Sequence, residues 1–145
     1  MHFSKRLLHK LTPFHHAFPV YDLEVTRSFY KETLACPQGR EAKDLWIDFD
    51  LFGHQIVAHK VPLSLQNDHK EMRNLVRNHV DGHQVPIPHF GVVLEWDQMN
   101  DLVARLKKHK IKFEIEPYVR FQGLPGEQQT MVRLEIMEYI LISAS

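Results

Sequence analysis

Two stretches of the chain share one layout of apolar and polar positions. Pro13-Phe14-His15-His16-Ala17-Phe18-Pro19-Val20 sets a histidine soon after a proline and then runs apolar, and Pro88-His89-Phe90-Gly91-Val92-Val93-Leu94 repeats this about half the chain later. Each run reads as a strand and leads into a helical pattern, Leu23 to Leu34 in the first half and Gln98 to Lys108 in the second. In the second helix Met99, Leu102, Val103 and Leu106 fall at i, i+3, i+4 and i+7 and mark one buried face. In the first, Asp22 is placed to cap, and Val25, Phe29 and Leu34 form the predicted inner stripe. A histidine entering a strand at the same place in both halves of a repeat points to one site at their junction.

The remaining pattern fills in each half. Leu45 to Leu51 and His54 to His59 read as two strands joined by a tight Phe52-Gly53 connection, and Asp48 and Asp50 alternate with apolar residues in the first of them. Pro37-Gln38-Gly39 reads as the stop of the first helix. Residues 60–87 carry two prolines and little strand pattern, and Met72, Leu75, Val76 and His79 at helical spacing predict a short helix inside a long connection. Ile111 to Ile115 alternates as a strand, Glu116 to Glu127 reads as a loop, and Gln128 to Leu134 and Ile136 to Ile142 are the last two strands. Each half thus runs strand, helix, then further strands.

Composition narrows the class. A chain of 145 residues, 43% hydrophobic, is enough for one compact domain or two very small intimate ones. Eighteen basic residues balance eighteen acidic ones, which argues against nucleic acid as partner. Cys36 is the single cysteine, so no intrachain disulfide forms and a reducing, cytoplasmic setting is expected. No apolar run approaches the roughly 20 residues of a membrane-spanning helix. Residues 1–12 read as a basic tail. Eleven histidines are present, and only position can single any of them out.

The stretches Phe14 to Val20, Trp46 to Gln55, Val85 to Val92 and Glu116 to Gly123 resemble the vicinal oxygen chelate superfamily, which includes glyoxalase I, bleomycin-resistance proteins and extradiol dioxygenases. They look most like a subgroup of small glyoxalase-like proteins of undefined substrate, and the likeness runs from about residue 13 to 131. It implies an α+β fold of two βαβββ modules whose mixed sheets curl around a metal-binding cleft. Module one would cover about 13–62 and module two about 87–145, joined by a connection over 63–86, all within one glyoxalase-like domain over 13–145.

The resemblance also implies a ligand set. Such proteins take one histidine from the first strand of each module and a glutamate from the last strand, which points to His15, His89 and Glu138 around a divalent ion such as Fe, Mn, Ni or Zn. Related chains carry an Asp-Pro-x-Gly-Asn turn before that strand, and this chain does not. With the turn deleted the ligand is Glu138; in an ungapped register its place is taken by Ile142 and the carboxylate is lost. A third reading makes residues 132–145 a read-through or frameshift product. Gln55, His59, Tyr118, Arg120 and Phe121 are candidate contacts of a substrate pocket, while His16, on the opposite strand face, is expected to pack.

Three functions fit these readings. The first is a metal-dependent lyase, isomerase or dioxygenase acting on a small substrate with vicinal oxygens. The second is a metal-free protein that binds or sequesters a small molecule, as bleomycin-resistance relatives do. The third is an inactive isoform with a disrupted last strand. No catalytic acid, base or nucleophile is assigned by the sequence, and relatives of this fold imply a homodimer.

Overall fold

The computed structural model describes residues 12–65, 76–134 and 139–144. The first half folds as β1 (His15–Val20), helix α1 (Leu23–Arg27) continued by a π-helical stretch (Ser28–Thr33), then β2 (Gln38–Ala42), β3 (Trp46–Leu51) and β4 (His54–Lys60). The second half folds as β7 (His89–Leu94), α2 (Trp96–Lys108), β8 (Ile115–Arg120), β9 (Gln128–Leu134) and β10 (Tyr139–Ala144). Between them lies a hairpin, β5 (Val76–Val80) and β6 (His83–Ile87).

The two halves build the same sheet. In the first the strand order is β1-β4-β3-β2, and in the second β7-β10-β9-β8. The opening strand pairs parallel with the last in both, and the other neighbours are antiparallel. The fold is therefore α+β, two βαβββ units with mixed sheets, as the resemblance implies. The two sheets are not closed into one.

Alternation decides which face of each sheet is dry. In the first sheet Phe18, Val20, Ile47, Phe49, Leu51, Ile56 and Ala58 point to one side, where the first helical segment adds Phe29, Tyr30 and Leu34. In the second, Val92, Leu94, Met131 and Ile142 do the same beneath Met99, Leu102 and Leu106 of α2. All of these belong to one continuous core, so neither half buries its apolar face alone. The seam is tied by the ring pairs His16–Phe90 and Phe18–Phe90, with centroids 4.3 and 5.8 Å apart, and by Arg105 Nη1, which donates to the Leu34 carbonyl at 2.9 Å. Burial in this region pushes the Cys36 thiol up to about 12.

Caps and turns follow from local chemistry. Asp22 Oδ1 accepts from the backbone N–H of Glu24 and Val25 at 2.8 and 3.0 Å, as its position predicts. Phe52-Gly53 turns with both φ positive (51° and 93°), the conformation that suits a two-residue hairpin.

Four expectations need correction. Val25 is exposed, because the helical stripe that faces the core runs through Leu23, Thr26, Phe29, Tyr30 and Thr33. Val76 and His79 stand in strand β5 and not in a helix, while Met72 and Leu75 lie outside the described residues. Strand β8 spans Ile115–Arg120, so the first five residues of the expected loop are strand, and Ile111 and Phe113 pack on the core from a non-strand segment. Gln38 and Gly39, expected with Pro37 as a turn, instead open edge strand β2 (Gln38–Ala42), which lacks an apolar stripe because it is mostly exposed.

Candidate metal and ligand site

His15 opens β1 and His89 opens β7, on the sheet face opposite the common core, and both are exposed. The parallel pairing of β1 with β4 sets Gln55 directly beside His15, and Asp50 and Asp48 of β3 continue on the same face. His15 Nδ1 lies 2.8 Å from Gln55 Oε1, and Gln55 Nε2 donates to Asp48 Oδ2 at 3.1 Å. A carboxylate only accepts, so the Gln55 amide must present its N–H to Asp48 and its oxygen to His15. His15 then carries its proton on Nδ1 and leaves the Nε2 lone pair open.

His89 reaches the same state by another route. Its Nδ1 lies 2.7 Å from the carbonyl oxygen of Pro86 in β6, and a carbonyl only accepts. Nδ1 is again the protonated nitrogen and Nε2 the open one. A metal-binding imidazole is set up this way, with the second nitrogen donating to a backbone or side-chain oxygen.

The surroundings of the two histidines differ. Beside the first sheet lies a groove of about 330 Å³ lined by Pro13, Pro37, Gly39, Asp48, Asp50 and Gln55, among others. His54 stacks on Phe14 at 4.2 Å and accepts its backbone N–H, which steadies the entry into β1. On the second sheet the hairpin β5–β6 packs against the face that carries His89: Val85 is buried with Ile115 and Val132, and Val80 and Tyr118 close around them. Strand register places Val132 beside Leu141 and Leu141 beside Gly91, two residues on from His89 and on its face.

The other expected residues distribute as follows. His59 is exposed near the end of β4, in register with Pro19, on the His15 face. Tyr118 packs its ring on His83 at 4.5 Å, and desolvation raises its phenol pKa. Arg120 pairs with Asp81 in the hairpin turn and lies 5.0 Å over the ring of Phe121, which is half exposed. Tyr118 and Arg120 thus grip the hairpin. His16 packs on Phe90, on the face away from His15. Ile142, the place of the ungapped alternative, is core, 3% exposed and paired with Val92 and Met131. Glu138 lies outside the described residues. Among the described residues no three His, Cys, Asp or Glu side chains converge to hold a metal.

Sequence reading missed Pro86 and Asp48 as partners of this site. A backbone carbonyl carries no residue-type signal, but the Asp81-Gly82 pair, with φ of 48° and 81°, is the hairpin signature that would have revealed β5–β6. For Asp48 the signal was a carboxylate in the middle of a strand, alternating with apolar residues as Asp50 does.

No helix among the described residues is long and apolar enough to cross a membrane. The sequence matches no protein-family model and no curated protein. Solved structures do match over nearly the whole chain. A glyoxalase/bleomycin resistance protein/dioxygenase from Alicyclobacillus acidocaldarius superposes with a TM-score of 0.66 at 24% identity, covering 92% of this chain and 90% of that one. Lactoylglutathione lyase from Agrobacterium tumefaciens gives a TM-score of 0.60 at 9% identity over 92% and 93% of the two chains. The fosfomycin resistance protein FosX from Listeria monocytogenes gives 0.60 at 14% identity over 96% and 95%. With its repeated β1-β4-β3-β2 order and these neighbours, the chain has the fold of the vicinal oxygen chelate superfamily.

Proposed function

We propose that this protein holds a divalent metal ion through His15 Nε2, His89 Nε2 and Glu138, and acts on a small substrate that offers two neighbouring oxygens. One observation carries the reading: the two repeat-related histidines both donate through Nδ1, to Gln55 Oε1 and to Pro86 O, and both keep Nε2 open. The ion, once bound, supplies Lewis acidity toward a substrate oxygen. The chain's own residues fix both imidazole tautomers, and the groove of Pro13, Pro37 and Gly39 offers a seat for the substrate's remaining part. Lyase, isomerase and dioxygenase chemistry all suit this arrangement, in a homodimer.

Calorimetric titration of chelator-treated protein with Fe(II), Mn(II), Ni(II) and Zn(II) tests it. Near-stoichiometric binding is expected, and His15→Ala, His89→Ala and Glu138→Gln should each weaken it by about tenfold or more. Binding that survives Glu138→Gln but not the histidine changes removes the carboxylate from the ligand set. The second reading, a metal-free small-molecule binder, rests on the groove alone, and it stands if no metal binds the wild type.

A further inference from the structure

We infer that Asp48 is a positioning residue for His15: through Gln55 it decides which imidazole nitrogen faces outward. Three observations carry this. Asp48 sits on the exposed face of its sheet, yet it is only 5% exposed itself. Its Oδ2 accepts from Gln55 Nε2 at 3.1 Å and, weakly, from Arg40 Nε at 3.4 Å at the rim, whereas Oδ1 is buried with no hydrogen-bond partner among the described residues. Gly39 makes room for it, since a Cβ there would clash with Asp48 Oδ1.

A buried carboxylate with one oxygen unsatisfied does not serve stability. In register with Val57 an apolar side chain of like volume would cost the fold nothing in desolvation. What the carboxylate does, and an apolar group cannot, is accept only. That one-way chemistry orients the Gln55 amide, and the amide oxygen in turn holds the proton of His15 on Nδ1. An asparagine in place of Asp48 would both donate and accept, so the amide would be free to turn over and the imidazole free to change tautomer.

The value of this control to the protein rests on the metal-binding reading, but the control itself is tested without metal. Histidine side-chain nitrogen–proton NMR of metal-free protein, above the usual imidazole titration range, reads the tautomer of each ring. Wild-type His15 should be the Nδ1–H form. In Asp48→Asn it should become a mixture of the two tautomers, with His89 unchanged as the internal control and metal affinity reduced about tenfold. If Asp48→Asn does not fold, Gln55→Leu removes the same link one residue nearer and should shift His15 likewise. A folded variant of either kind whose His15 stays wholly Nδ1–H overturns the inference, as does an Nε2–H ring in the wild type. A wild type that shows the tautomer effect yet binds no metal leaves the positioning intact and removes only the function proposed above.

Discussion

The two halves hold equivalent histidines in the same state by different means. In the first, the restraint is a line of side chains within one sheet, His15 to Gln55 to Asp48. In the second, it is the Pro86 carbonyl, delivered by a hairpin that has no counterpart among the described residues of the first half. A side-chain restraint can be removed by one substitution. A backbone restraint survives any substitution that leaves the hairpin docked, so its strength equals the hairpin's own. The comparison teaches that duplicated geometry need not preserve duplicated support.

The largest expected effect concerns a reporter that only the first half has. A buried thiol raised from 9.0 to about 12 should react with disulfide reagents at neutral pH far more slowly than a free one, so labelling of Cys36 measures opening of the first half. Because the folded-state value is raised, its stabilising contribution is complete below the unfolded thiol's pKa and is lost as pH rises through about 12. Denaturation followed at increasing alkalinity should show this decline, and Cys36→Ala should flatten it.

Val85→Asp comes next. It places a charge in the cluster of Val85, Ile115 and Val132 and should cost about 3 kcal/mol of hairpin docking. Limited proteolysis should then cut within 76–87, and NMR should show His89 losing its Nδ1 tautomer while His15 keeps it. If His15 changes as well, the two supports are coupled through the common core and the contrast between the halves fails.

Gly39→Ala tests the other side. Crowding Asp48 should cost about 1–3 kcal/mol, a fall in Tm of several degrees, and should disturb His15 while sparing His89. Smallest of all are the hairpin's ion pairs, Arg77–Glu114 at 2.6 Å and Arg120–Asp81, whose side chains are partly exposed. Neutralising Glu114 or Asp81 should change stability by about 1 kcal/mol or less, and less still in high salt, as denaturant titration would measure. A larger loss from Asp81→Asn would make the turn, and not the Val85 cluster, the anchor of the hairpin.

Much of this protein was determined by the sequence alone. The repeated histidine, the apolar run after it, the i, i+3, i+4, i+7 stripe of α2 and the Phe52-Gly53 turn are local patterns, and each forms where its own chemistry directs. The fold class was legible because two such units cannot bury their apolar faces separately and share Phe18, Val92, Met99 and Ile142 in one core. Edge strand β2 was not legible: its Gln-Gly-Arg-Glu-Ala run forms through backbone bonds to β3, which no side-chain pattern announces. Nor were the partners of the histidines. Gln55 is forty residues from His15 and becomes its neighbour only through parallel pairing, and Pro86 acts through a carbonyl every residue possesses. Tertiary structure alone decided which nitrogen of each ring faces outward, because a tautomer is set by the acceptor within hydrogen-bond reach, and reach is a property of the folded chain.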